Sequence, residues 1–97
     1  MPKNQPDRLP SYALAAAMNS TGITAADLAR TCGVMPAAVG EWLRPGGMLT
    51  DPGFIAAALI AFAKAGVEIV HDPDGREGED PGVRFRGGWV VRPVGEA

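Results

Sequence analysis

The sequence predicts a mainly α fold: a bundle of four short helices over Leu9–Gly66, followed by a small antiparallel β-sheet tail. Three observations carry this. Apolar residues recur at helical spacing up to Gly66, each stretch bounded by capping or helix-stopping residues. After Gly66 the pattern changes to short β-branched and alternating runs. The 97 residues are 46% apolar, enough for one small domain with a core, and the apolar count leans on alanine, which suits close-packed helices.

The elements follow in order. Residues 1–8 are polar, contain two prolines and read as a loose arm. Pro10 and Ser11 mark a helix start, Leu14 and Met18 lie four apart, and Asn19-Ser20-Thr21-Gly22 stops the helix. Thr24-Ala25-Ala26-Asp27 has the form of a capping box for a second helix, which runs to about Thr31. Gly33 suits a left-handed turn, and Pro36 suits the first turn of a third helix, which runs to about Leu43. Arg44-Pro45-Gly46-Gly47 ends it. Asp51-Pro52 reads as N-cap and first residue of a fourth helix, whose apolar face holds Phe54, Ile55, Leu59, Phe62 and Ala63.

In the tail (67–92), Val67–Val70 is strand-like. Asp72–Asp80 reads as an exposed acidic turn. Val83–Arg86 and Trp89–Arg92 form a hairpin about the two-residue turn Gly87-Gly88, and residues 93–97 fray.

Composition limits the function. The net charge is −2, and residues 67–97 carry four arginines against seven acids. This balance disfavours tight nucleic-acid binding by an isolated monomer, although a local basic face remains compatible with it. One cysteine, Cys32, allows no internal disulfide and fits a reducing, cytoplasmic setting. Residues 1–10 lack a signal-peptide pattern, and the longest apolar run, Phe54–Ala63, is too short to span a bilayer, so no membrane role is expected. His71 and the neighbouring acids match neither a calcium-loop nor a zinc spacing, so no metal or other cofactor is expected. No nucleophile–base arrangement stands out, so no catalytic residue is assigned and an enzyme is not expected.

The second and third helices are the informative part. Ala29 is small enough for close helix approach, Gly33 makes the sharp turn, and Leu28, Val34, Val39 and Trp42 pack the third helix onto the core. That order of residue types is what a helix-turn-helix over Ile23–Arg44 needs. The stretch Ile23–Trp42, together with Ala65-Gly66-Val67-Glu68-Ile69-Val70 and Gly82-Val83-Arg84-Phe85-Arg86, resembles the Cro/repressor-like (XRE-type) helix-turn-helix family of small bacterial and phage regulators.

The resemblance implies a DNA-binding regulator acting as a dimer, with the third helix in the major groove. Base-facing positions map onto Met35, Pro36, Ala37, Gly40 and Glu41, with Arg44 near a phosphate, Arg30 on the second helix, and Ala25 at the usual phosphate-contacting helix start. Base edges are read by hydrogen bonds, and of the base-facing Met35, Pro36, Ala37, Gly40 and Glu41 only Glu41 could read one, by accepting from cytosine. The expectation is therefore phosphate-driven, weakly base-reading binding. Val83, Phe85, Trp89 and Val91 are the expected homodimer contact, although Trp89 equally suits a cap on the core and Arg84, Arg86 and Arg92 a solvated hairpin face. The alternative is a helix-turn-helix fold used as a protein-interaction module, a cofactor of a larger regulator or an antitoxin-like partner.

Overall fold

The computed structural model describes residues 6–72 and 83–94. Their elements are β1 (Leu9–Pro10), α1 (Ser11–Thr21), α2 (Ala25–Cys32), α3 (Pro36–Leu43), β2 (Met48–Leu49), α4 (Pro52–Lys64), β3 (Val67–His71), β4 (Val83–Phe85) and β5 (Trp89–Pro93). Most of the expected loose arm, the acidic turn beyond Asp72 and the last three residues lie outside the described residues.

Local chemistry sets the helix limits. α1 runs past Asn19-Ser20 because the Thr21 hydroxyl donates back to the carbonyls of Ala17 and Met18, and the left-handed Gly22 then closes the helix on Met18 O. In α2 the capping box is complete: Asp27 N–H donates to the Thr24 hydroxyl and Thr24 N–H to the Asp27 carboxylate, both at 3.1 Å. Gly33, at φ +73°, ends α2. Asp51 caps α4 by accepting from the N–H groups of Gly53 and Phe54, with Pro52 first in the helix.

The four helices and an antiparallel sheet at the end of the chain match the sequence reading, but the sheets are placed differently and the fold is mixed α/β. First, β1 and β2 pair inside the segment expected to hold helices and their connections but no strand, Leu9 opposite Leu49 and Pro10 opposite Met48. Leu9 precedes a proline, which favours extended backbone, and both leucines are buried, so the ribbon is part of the core. Second, the tail is a three-stranded sheet in the order β3-β5-β4, with β5 in the middle. Third, three residues connect β4 to β5, because Phe85 pairs with Trp89 and Arg86–Gly88 make the turn, with Gly87 and Gly88 both left-handed, in place of a two-residue hairpin turn.

One core joins helices and sheet. Leu14, Leu28, Val39, Ile55 and Phe62 share it with Ile69, Trp89 and Val91. On α4 the buried positions are Ile55, Ala58 and Phe62, whereas Ala63, expected on the apolar face, is exposed. The sheet face away from the helices carries Glu68 across from Arg92 and Arg84 across from Val90. Arg92 Nε donates to Glu68 at 2.6 Å, and Arg84 donates to the Asp72 carbonyl at 2.9 Å. Among the described residues no helix is long and apolar enough to cross a membrane, and no cluster of three or more His, Cys, Asp or Glu could hold a metal ion.

Candidate functional site

The turn between α2 and α3 fixes the orientation of α3. Beyond Gly33, Val34 N–H reaches back to Ala29 O at 2.9 Å, which reverses the chain within three residues. Ala29 is buried there, and Val39 on α3 is fully buried against the core. Trp42 is half-buried and packs on Phe54 of α4, ring centroids 5.8 Å apart. With that side of α3 locked inward, the opposite side is necessarily outward.

Met35, Pro36, Ala37, Gly40, Glu41 and Arg44 are all exposed: Pro36, Ala37, Gly40 and Glu41 make a strip on α3, with Met35 and Arg44 at its N- and C-caps. Met35 is the extreme, an apolar side chain 74% exposed. It is also the N-cap, and its side chain makes no capping bond. Two further positions differ. Arg30 is exposed on α2, whereas Ala25 is half-buried and packs on the core, so its side chain offers little to an outside partner.

Gly40 needs separate explanation. It sits inside a helix, where glycine costs about 1 kcal/mol relative to alanine. A Cβ there would meet nothing within 4 Å, so no packing inside the chain requires its absence. The surface of α3 is flat at this point for no reason the fold supplies.

The electrostatics are self-contained. Arg44 donates to Glu41 at 2.7 Å and Arg30 to Asp27 at 3.2 Å, each pair one helical turn apart and exposed. Such pairs contribute only about 0.2–1 kcal/mol, so a phosphate or a partner carboxylate could displace either acid cheaply. The Thr24 backbone N–H, then the Thr24 hydroxyl and Arg30, hold the Asp27 carboxyl below the ordinary aspartate range. A carboxylate with a depressed folded value stabilises fully above its unfolded value and loses that contribution as pH falls through the folded one. Wild-type protein should therefore melt higher than Asp27→Asn at neutral pH, and the gap should close on acidification below the aspartate range. Melting curves of both proteins across pH check this; a constant gap would contradict it.

Cys32 lies at the end of α2, its thiol donating to Phe54 O at 3.7 Å, and burial pushes the thiol up, away from a reactive thiolate.

The expected partner-contact residues divide. Trp89 and Val91 are 2% and 4% exposed, inside the chain's own core. Phe85 is half-buried against Tyr12, ring centroids 5.6 Å apart. Val83 alone of the four is exposed, at the start of β4, whose only pairing among the described residues is with β5. Arg84 and Arg92 engage Asp72 and Glu68 on the sheet. Of the two places open to Trp89, the structure shows the one in the core, whereas the internal position of Val91 was missed, although the unbroken apolar run Trp89-Val90-Val91 signalled it. Compared with known proteins, the chain matches no family model, no curated protein and no solved structure.

Proposed function

We propose that the chain is a DNA-binding transcriptional regulator of phage or bacterial type, acting as a dimer, with α2 and α3 as its helix-turn-helix. The observation that carries this reading is the exposed strip of α3, held outward by a buried opposite side and flattened at Gly40 without a packing reason. A glycine there permits close approach of a groove wall or backbone. Arg44 and Arg30 would contact phosphates after releasing their acids. Glu41 is the only side chain of the strip that could accept from a base, so affinity rests on phosphates and falls steeply with salt. With Trp89 and Val91 inside the core, the dimer contact in this reading moves to Val83 and to β4, which among the described residues is an edge strand.

The test is fluorescence anisotropy with duplex DNA at low salt, including the promoter upstream of the chain's own gene. Glu41→Gln removes a charge that repels phosphates and frees Arg44, and should tighten binding on the order of fivefold. Arg44→Ala should weaken binding and lower the log–log salt slope by about one. No binding to any duplex would overturn the reading.

A specific observation favours a second reading, a protein-interaction module. Each of Arg8, Arg30, Arg44, Arg84 and Arg92 stands within ion-pair distance of an acid of the same chain. An apolar Met35 leading a strip of small residues then suits a protein surface. Affinity unchanged in Arg44→Ala, together with a partner complex lost in Met35→Asp, would favour this second reading.

A further inference from the structure

A cleft of about 280 Å³ opens between the β1–β2 ribbon and the turn at Gly87. Its walls include Arg8, Tyr12, Gly47, Met48, Gly87 and Trp89, none of which belongs to the strip on α3. The turn at Gly87 is tied to the sheet. The His71 ring stacks on Trp89, centroids 4.4 Å apart and planes 22° from parallel. His71 Nε2 lies 2.9 Å from Gly87 O, and Asp72 N–H donates to Gly88 O at 2.6 Å, which pins the turn to the sheet. Gly87 lies beside Tyr12 and Trp89: a Cβ there would stand 3.5 Å from an atom of each, an ordinary van der Waals contact. A site that does not have to be ordered on binding loses less affinity to conformational entropy.

The chemistry of the walls is two-sided. Trp89 is almost wholly buried, whereas Met48 is 41% exposed and would gain by being covered. Over the Trp89 ring stands a cation, Arg8. The Arg8 guanidinium lies 5.9 Å from the Trp89 ring centroid, and its acid is Asp7, the adjacent residue, whose carboxylate is 87% exposed. A pair so hydrated yields readily to a better-placed anion. The volume selects size: a cavity of about 150 Å³ takes benzene, and drug-sized ligands need about 300 Å³ or more. The cleft therefore has room for one ring and a short substituent.

We propose that this cleft binds a small aromatic carboxylate, its ring against Met48, Tyr12 and Trp89 and its carboxylate on Arg8. The proposal is independent of what α3 contacts. Its test is titration of the full chain with benzoate, benzyl alcohol and benzylamine, followed by ¹H–¹⁵N correlation spectra and tryptophan fluorescence. Benzoate should shift the Gly46, Gly47 and Gly87 amides and the Trp89 indole saturably. Benzyl alcohol should do so more weakly and benzylamine not at all. Arg8→Gln should weaken benzoate about tenfold, the loss of one charge-assisted hydrogen bond. Should Arg8→Gln fail to fold, Met48→Ala, at an exposed position, should still weaken benzoate measurably. Equal responses to benzoate and benzylamine, no saturable response, or shifts centred on α3 would each overturn the proposal.

Discussion

Gly47→Ala is expected to destabilise the fold by roughly 3 kcal/mol or more, near the upper end for a single added methyl. The added Cβ would lie 2.5 Å from Glu41 O, 2.7 Å from Trp42 O and 2.9 Å from Arg44 O. All three are backbone atoms at the end of α3, so none can swing aside as a side-chain tip would. Gly47 also ties two elements together. Its N–H donates to Arg44 O at 2.6 Å, and its carbonyl accepts from Ser11 N–H at the start of α1 at 3.1 Å. Relief of the clash would unwind the last turn of α3 or pull α1 from the ribbon. Gly40→Ala is the contrasting control, because its Cβ meets nothing within 4 Å and glycine is a poor helix former. It should raise stability by about 0.5–1 kcal/mol. Denaturant melts of the two variants therefore move in opposite directions. Equal and small effects would contradict the close packing at Gly47.

The pair of glycines also shows what the sequence displayed and what it withheld. Pro45-Gly46-Gly47 reads plainly as the end of a helix, yet nothing local says that Gly47 is required by carbonyls behind it and Gly40 by nothing inside the chain. Local chemistry was legible wherever it is settled within four residues: the Thr24–Asp27 capping box, the left-handed Gly33, and Asp51-Pro52 at the start of α4. Long-range pairing was not. Leu9 and Leu49 lie forty residues apart, and no spacing rule joins them. The same holds for β5 as the middle strand. Alternation identifies a strand with one covered face, but Val90 is buried on the sheet face that carries Arg84 and Arg92, so period-two reading suggested a simple hairpin. On α3, the positions that the resemblance marked as base-facing are exposed while Val39 is buried and Trp42 half-buried, whereas the acids that accompany Arg30 and Arg44 three residues away gained weight only once their distances were known.

Trp89→Ala should be the second large loss, about 3–5 kcal/mol, a large part of the 5–15 kcal/mol that holds a domain of this size together. Trp89 is 2% exposed, pairs with His71 on one neighbouring strand and Phe85 on the other, and belongs to the core shared with Leu14, Phe62 and Ile69. Its removal leaves a cavity where helices meet sheet, and it strips the stacking partner from His71 and the aromatic surface beneath Arg8. The distinction from an interface residue lies in concentration. A tryptophan that stabilised only by joining two copies would show a loss that shrinks on dilution, because the dimer contributes by mass action. A tryptophan inside the chain shows the same loss at every concentration. Thermal melts of wild type and Trp89→Ala, followed by circular dichroism over a hundredfold range of protein concentration, should give a constant difference. Val83→Asp supplies the opposite signature, since Val83 is exposed at the start of β4 and contributes little to the core. It should leave the melting point of dilute protein nearly unchanged and, if β4 joins two copies, abolish the rise in melting point with concentration. If instead the Trp89→Ala deficit vanishes on dilution, the indole stabilises chiefly across an interface and its place in the core contributes little.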